Sequence, residues 1–180
     1  MIHDGKFLNH HCLHVLMQCE KELKNLDKIK HMKIAALDTK HRNEHTDYCY
    51  DKKPFISFGE AKQTLVSVYE IPPLKSAYPY HYHHKNEETF YIISGKGLLK
   101  TPDGDKEVQA GDLLFFPANS SGAHKLTNTS TTEKLSYIDF DVVHEVDVSV
   151  YPDSGKIGIW GKGINKLYKE DSDVDYYEGE

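Results

Sequence analysis

Beyond residue 55 the chain is a succession of short β-type runs cut by turn chemistry, with no helical pattern between them. Residues 64–71 (TLVSVYEI) run into Pro72-Pro73, and 89–93 (TFYII) stop at Ser94-Gly95. Residues 97–101 and 106–108 flank Pro102-Asp103-Gly104-Asp105, where Asp-Gly tolerates the positive φ of a tight hairpin. Residues 113–116 (LLFF) end at Pro117, and 134–143 (KLSYIDFDVV) form a longer run. Strands so closely spaced leave no room for helical crossovers, so they are expected to pair antiparallel and close into a sandwich or barrel. Phe90, Ile92, Leu99, Leu113, Phe115, Tyr137 and Phe140 are the expected interior lining.

The start of the chain follows another period. Leu8, Cys12, Val15, Leu16, Cys19, Leu23, Leu26 and Ile29 recur at steps of three and four, which predicts an amphipathic helix over about 7–30. The sequence MKIAALD, opening at Met32, reads as the beginning of a separate unit. The expected organisation is a helical extension over 1–31, a β domain over 32–168 and an acidic tail over 169–180. That tail holds Glu170, Asp171, Asp173, Asp175, Glu178 and Glu180.

Charge and composition exclude several functions. With 22 Lys+Arg against 28 Asp+Glu the net charge is -6, which argues against a nucleic-acid binder. The run at 113–116 is far short of the ~20 residues that cross a bilayer, and no basic-then-apolar leader opens the chain. Three cysteines make no disulfide framework, so a cytoplasmic protein is expected. There is no Walker-type glycine loop and no G-x-S-x-G elbow, and Cys49 has no activating neighbour.

Twelve histidines stand against a single tryptophan, and their placement carries the chemistry. His81 and His83 are two apart, so on a strand both imidazoles project from one face and make half of a metal site. His84 points the other way. Glu88 opens the next strand and can close a His/His/Glu set, while His124, with Asn128 four residues on, is a fourth donor from a distant segment. Glu87 rivals Glu88. Glu88, however, shares phase with Phe90 and Ile92, whereas Glu87 shares phase with Thr89 and Tyr91. Tyr78, Tyr80 and Tyr82 crowd the motif and suit packing. Lys96 and Lys100 sit near the expected rim, as solvated charges or as phosphate contacts.

These two segments resemble the paired motifs of the cupin superfamily. The first reads His81-x-His83-x4-Glu88-x6-Gly95; the second reads Gly111-x5-Pro117, then His124-x3-Asn128. The chain departs from the family pattern at Ser76 and Asn119, where glycines are usual. Two extra residues before His124 leave Gly122 to make the turn. The resemblance covers about residues 58–145 and implies a double-stranded β-helix, or jelly roll, with His81, His83, Glu88 and His124 as metal ligands. It also implies one divalent transition metal (Fe, Mn, Ni, Zn or Cu), a small-molecule ligand and a homodimer paired through sheet edges. Function is left among three classes: a metal-dependent isomerase of a sugar or sugar phosphate or a dioxygenase, a non-catalytic binding or sensing protein, and a structural cupin with an idle site.

Overall fold

The computed structural model describes residues 28–43 and 45–180. Its strands are β1 (Lys40–Arg42), β2 (Tyr50–Ile56), β3 (Thr64–Ile71), β4 (Tyr82–His83), β5 (Glu88–Ser94), β6 (Lys96–Thr101) and β7 (Gly104–Gln109). They continue with β8 (Leu113–Phe116), β9 (Lys125–Asn128), β10 (Leu135–Val142), β11 (Val146–Tyr151), β12 (Lys156–Gly161) and β13 (Ile164–Lys169). One wall is a six-stranded sheet in the order β1-β2-β3-β10-β5-β8. Opposite stand a four-stranded sheet, β13-β12-β11-β4, and a three-stranded sheet, β7-β6-β9. Those two are stitched together where His81 and His124 form an antiparallel bridge. The result is an all-β sandwich, as the strand spacing predicts.

The core between the walls holds Tyr69, Phe90, Ile92, Phe116, Leu135 and Tyr137. Phe90 packs on Phe116 and Tyr137, with ring centroids 4.9 and 4.6 Å apart. Gly95 has φ 85°, and a Cβ there would lie 2.5 Å from the Lys134 carbonyl oxygen. Only glycine lets the β5–β6 turn press against the start of β10.

Three expected interior residues lie outside. Leu113 is 73% exposed, Phe115 60% and Phe140 42%. Strand register explains the difference: Phe116 pairs with Glu88 and Leu114 with Phe90, so the even-numbered residues of β8 face inward. LLFF contains no polar residue to mark its outer face, and its sequence cannot fix its phase. In β10 the inward phase is Tyr137, Asp139 and Asp141, paired with Ile92, Phe90 and Glu88. Phe140 is displaced to the outer face because carboxylates hold the inner one.

The expected N-terminal helix falls on residues outside the described set, except that 28–30 are described and carry no helix. Lys30 meets the β domain there, 3.1 Å from Glu60 Oε1. Past residue 145 the glycine-punctuated segment forms the β11–β12–β13 meander. Residues 170–180 follow it, exposed and without a strand. No helix among the described residues is long and apolar enough to cross a membrane.

Candidate metal centre

The site lies at the seam between the two smaller sheets, facing the six-stranded wall. The backbone N–H of His81 donates to the His124 carbonyl at 3.1 Å, and that of His124 donates back at 2.9 Å. This reciprocal pair turns both imidazoles to one side, although they come from distant segments. The loop before His124 depends on Gly122, where a Cβ would lie 2.0 Å from the Pro117 carbonyl oxygen. Asn119, in place of the usual glycine, accepts a hydrogen bond from the Ser121 N–H at 2.8 Å and caps the short turn Ser120–Gly122. Asn128 ties off the end of β9 by donating to the Ile71 and Glu133 carbonyls at 2.9 and 2.8 Å. His83 lies on β4, and Glu88 is the first residue of β5. Glu88 is buried, whereas Glu87 and His84 are exposed, in keeping with strand parity.

Each imidazole is anchored by Nδ1. That atom of His81 is 2.8 Å from the Pro79 carbonyl, and that of His124 is 3.0 Å from the Gly122 carbonyl. A carbonyl can only accept, so Nδ1 carries the proton and Nε2 keeps its lone pair. His83 Nδ1 meets the Asp147 carboxylate, and the Ser149 hydroxyl lies 3.1 Å from the same nitrogen. The Nε2 atoms of His124 and His83 lie 3.3 and 3.6 Å from Glu88 Oε2. His81, Glu88 and His124 each offer a ligand atom within 4.8 Å of the others. The His83 ring stands beside them, its centroid 5.1 Å from that of His81. A cavity of about 20 Å³ among His81, Glu88, His124, Phe90 and Asp139 is large enough for one water molecule or ion.

Electrostatics prepares this group for a cation. Burial holds His81 down to about 4, helped by the neighbouring His83, and burial puts His124 well below the usual range. Both are therefore neutral donors at physiological pH. Burial also pulls on His83, but the Asp147 hydrogen bond and the Glu88 charge outweigh it and raise its pKa. Glu88 is pushed up to about 8, chiefly by burial, with Asp141 and Asp147 adding and His83 opposing. Its Oε2 is buried and has no hydrogen-bond partner. A buried carboxylate oxygen facing imidazole lone pairs lacks compensation until a cation or a proton sits there. Neutral nitrogen donors with one carboxylate suit a divalent transition metal, so the residues present fit such an ion.

Several residues at the site are absent from the sequence-based expectation. Asp139 and Asp141, on the inner face of β10, stand with Glu88 in a second group of carboxylates whose oxygens lie within 4.8 Å of one another. Asp139 Oδ1 and Asp141 Oδ1 are also buried without partners. Asp139 is raised well above the carboxylate range by burial, then by Asp141 and Glu88. An alternating run with acidic residues in phase with Tyr137 was the available clue. Asp147 takes hydrogen bonds from the Lys85 and Asn86 N–H groups at 2.9 and 3.3 Å as well as meeting His83. The Trp160 indole donates to Ser149 Oγ at 2.8 Å. The centre opens through His83 and Glu88 into a cleft of about 380 Å³, between the six-stranded wall and the β11–β12–β13 sheet. The tyrosines pack: Tyr78 hydrogen-bonds Tyr69 at 3.0 Å, and Tyr80 lies under Lys100 Nζ at 4.3 Å.

Comparison with known proteins points the same way. A family model described as the Cupin domain matches residues 67–141. An uncharacterised protein of Methanocaldococcus jannaschii is 34% identical over 94 residues, covering 44% of this chain and 72% of that one. A provisionally assigned sugar phosphate isomerase of Acidithiobacillus ferrooxidans superposes with a TM-score of 0.71 at 23% identity, covering 87% of this chain and 99% of the other. A sugar phosphate isomerase of Silicibacter pomeroyi, from the cupin superfamily, gives 0.70 at 14% identity over 79% and 94%. An oxalate decarboxylase assigned by prediction in Thermotoga maritima gives 0.53 at 19% identity over 63% and 99%.

Proposed function

The chain belongs to the cupin superfamily, and from that premise we propose a metal-dependent enzyme on a small polar molecule, with His81, His83, Glu88 and His124 as the metal ligands. The observation that carries this reading is Glu88 Oε2, buried without a donor and faced by the Nε2 atoms of His124 and His83. A divalent ion bound there would act as a Lewis acid on a carbonyl or hydroxyl oxygen. The chain supplies the rest. Asp147 fixes the His83 tautomer and ring plane through Nδ1. Asp141, beside Glu88 and lining the cleft, is the group to take a proton at Oδ1 and return it at a neighbouring atom. Such a pairing of Lewis acid and carboxylate suits the shift of a carbonyl along a hydroxylated chain, an isomerisation. It is the feature that favours an enzyme over a protein that only binds.

The test is elemental analysis of the purified protein, followed by aldose–ketose interconversion and oxygen-uptake assays on the metal-loaded form. One ion per chain with interconversion is expected. Stoichiometric iron with oxygen uptake would shift the reading to a dioxygenase. An ion without turnover, but with ligand-induced stabilisation, would leave the non-catalytic binding alternative. A chain that takes up no ion would end the proposal. In the same reading 32–168 is the folding unit and the protein is a homodimer. A variant starting at Met32 should keep its metal content, and light scattering should give twice the chain mass.

A further inference from the structure

The cleft over the centre is lined by acidic, amide and aromatic side chains together with two imidazoles. Asp147, Trp160 and Asn165 are cross-strand neighbours on β11, β12 and β13, so they form a row on one face of that sheet. From the opposite wall Asp141 and Leu65 line the same space, and Phe58 closes one side. Among the described residues no Lys or Arg lines it. Lys96 and Lys100, the two candidate phosphate contacts of the sequence, do not line it. Lys100 Nζ is 2.8 Å from both Asp153 carboxylate oxygens, Lys30 pairs with Glu60, and Lys96 borders a separate groove.

We infer that the cleft takes an uncharged polyhydroxylated ring, an unphosphorylated sugar or cyclic polyol, with one face against Trp160 and hydroxyls donating to Asp141. This inference rests on the proposed function and narrows its substrate class. A phosphate dianion would enter between Asp141 and Asp147 with only the His83 and His144 imidazoles, and no Lys or Arg among the described residues, to meet it, and like charges in a partly desolvated cleft repel strongly. Hydroxyl groups reverse that relation. They donate, and the Asp141 carboxylate that lines the cleft accepts when ionised. The indole offers a flat apolar surface for the C–H face of a sugar ring, while its N–H is held by Ser149 and the ring is thereby fixed in orientation. Asn165 adds both a donor and an acceptor at the exposed edge.

Trp160 is the single tryptophan of the chain, so its fluorescence reports on this cleft alone. The experiment titrates the full chain, metal-free and zinc-loaded, with glucose, fructose and myo-inositol, and with glucose 6-phosphate and fructose 6-phosphate. At least one neutral compound is expected to shift the emission with a Kd at least tenfold below that of either phosphate. Asp141→Asn should weaken the neutral ligand several-fold and narrow the gap. Asn165→Lys, at an exposed position, should bring the phosphates closer to the neutral compounds. Tighter binding of a phosphate ester by the parent protein would overturn the inference, as would a response to none of the neutral compounds. Zinc content measured on the same samples keeps the two readings apart. A neutral-ligand response in protein that takes up no zinc would sustain the cleft assignment while removing the metal centre.

Discussion

The segment matched by the family model and the sheet that follows it divide the work of one site. Residues 67–141 bring His81, His83, Glu88 and His124 together and enclose them in aromatic packing. The β11–β12–β13 sheet contributes no proposed ligand, yet its Asp147 and Ser149 hold His83 and its Trp160 faces the cleft. The first region fixes which atoms can meet an ion. The second fixes how one donor is aimed and what shape of molecule reaches it. Members of one superfamily can therefore share a fold and differ in reaction, because side chains beyond the shared motif, here Asp147, Trp160 and Asn165, also line the cleft.

Substitutions on each side of that division should differ in size. Glu88→Gln, or His81→Ala combined with His124→Ala, removes the donors themselves and should lower metal affinity by more than about 100-fold, beyond the usual cost of losing a supporting contact. Metal content after dialysis measures it, and full occupancy in either variant would break the assignment. Asp147→Asn leaves the four proposed ligands in place and should cost about 10- to 100-fold in affinity with the fold retained. An unchanged affinity would mean that the C-terminal sheet supports nothing at the centre.

Acidity sharpens the same contrast. With Glu88 pushed up to about 8, the metal-free carboxyl holds its proton below that pH, and an ion must displace it. Affinity should rise with pH, by about tenfold per unit for one displaced proton, and level off above about 8. Calorimetry in buffers of differing ionisation enthalpy should detect roughly one proton released near neutral pH, with a further share from His83 as the pH falls. His81, held down to about 4, and His124, lower than usual, should add nothing in that range. A flat profile would mean that Glu88 is not a ligand. The smallest effects belong to Glu87→Gln and His84→Ala, exposed residues next to buried ones. Metal content should not change in either, and a loss in Glu87→Gln would shift the β5 register by one residue.

Where the sequence alternated cleanly it could be read. The β3 run matches residues 64–71, and the phase of Glu88 with Phe90 and Ile92 places all three inside. Paired motifs at family spacing carried the fold. Where neighbouring residues were alike, or where function reversed the usual pattern, sequence reading failed. Four apolar residues at 113–116 left the phase of β8 open, and the register with β5 turned Leu113 and Phe115 outward. In β10 the reading that apolar means inside put Phe140 in the core, whereas the inward positions belong to Asp139 and Asp141. Asp147 was not legible because its partner His83 lies 64 positions away, and no local pattern encodes a contact of that range.

The seam between His81 and His124 also bears on the order in which the chain assembles. Two mutual backbone hydrogen bonds hold ligands from distant segments, so the seam forms only after the intervening strands β5 to β8 have found their places. Closing so long a loop costs entropy that local contacts do not offset. The centre is thus expected to form late in folding. An ion bound there would act as a latch on the topology, slowing escape from the folded state more than it hastens arrival.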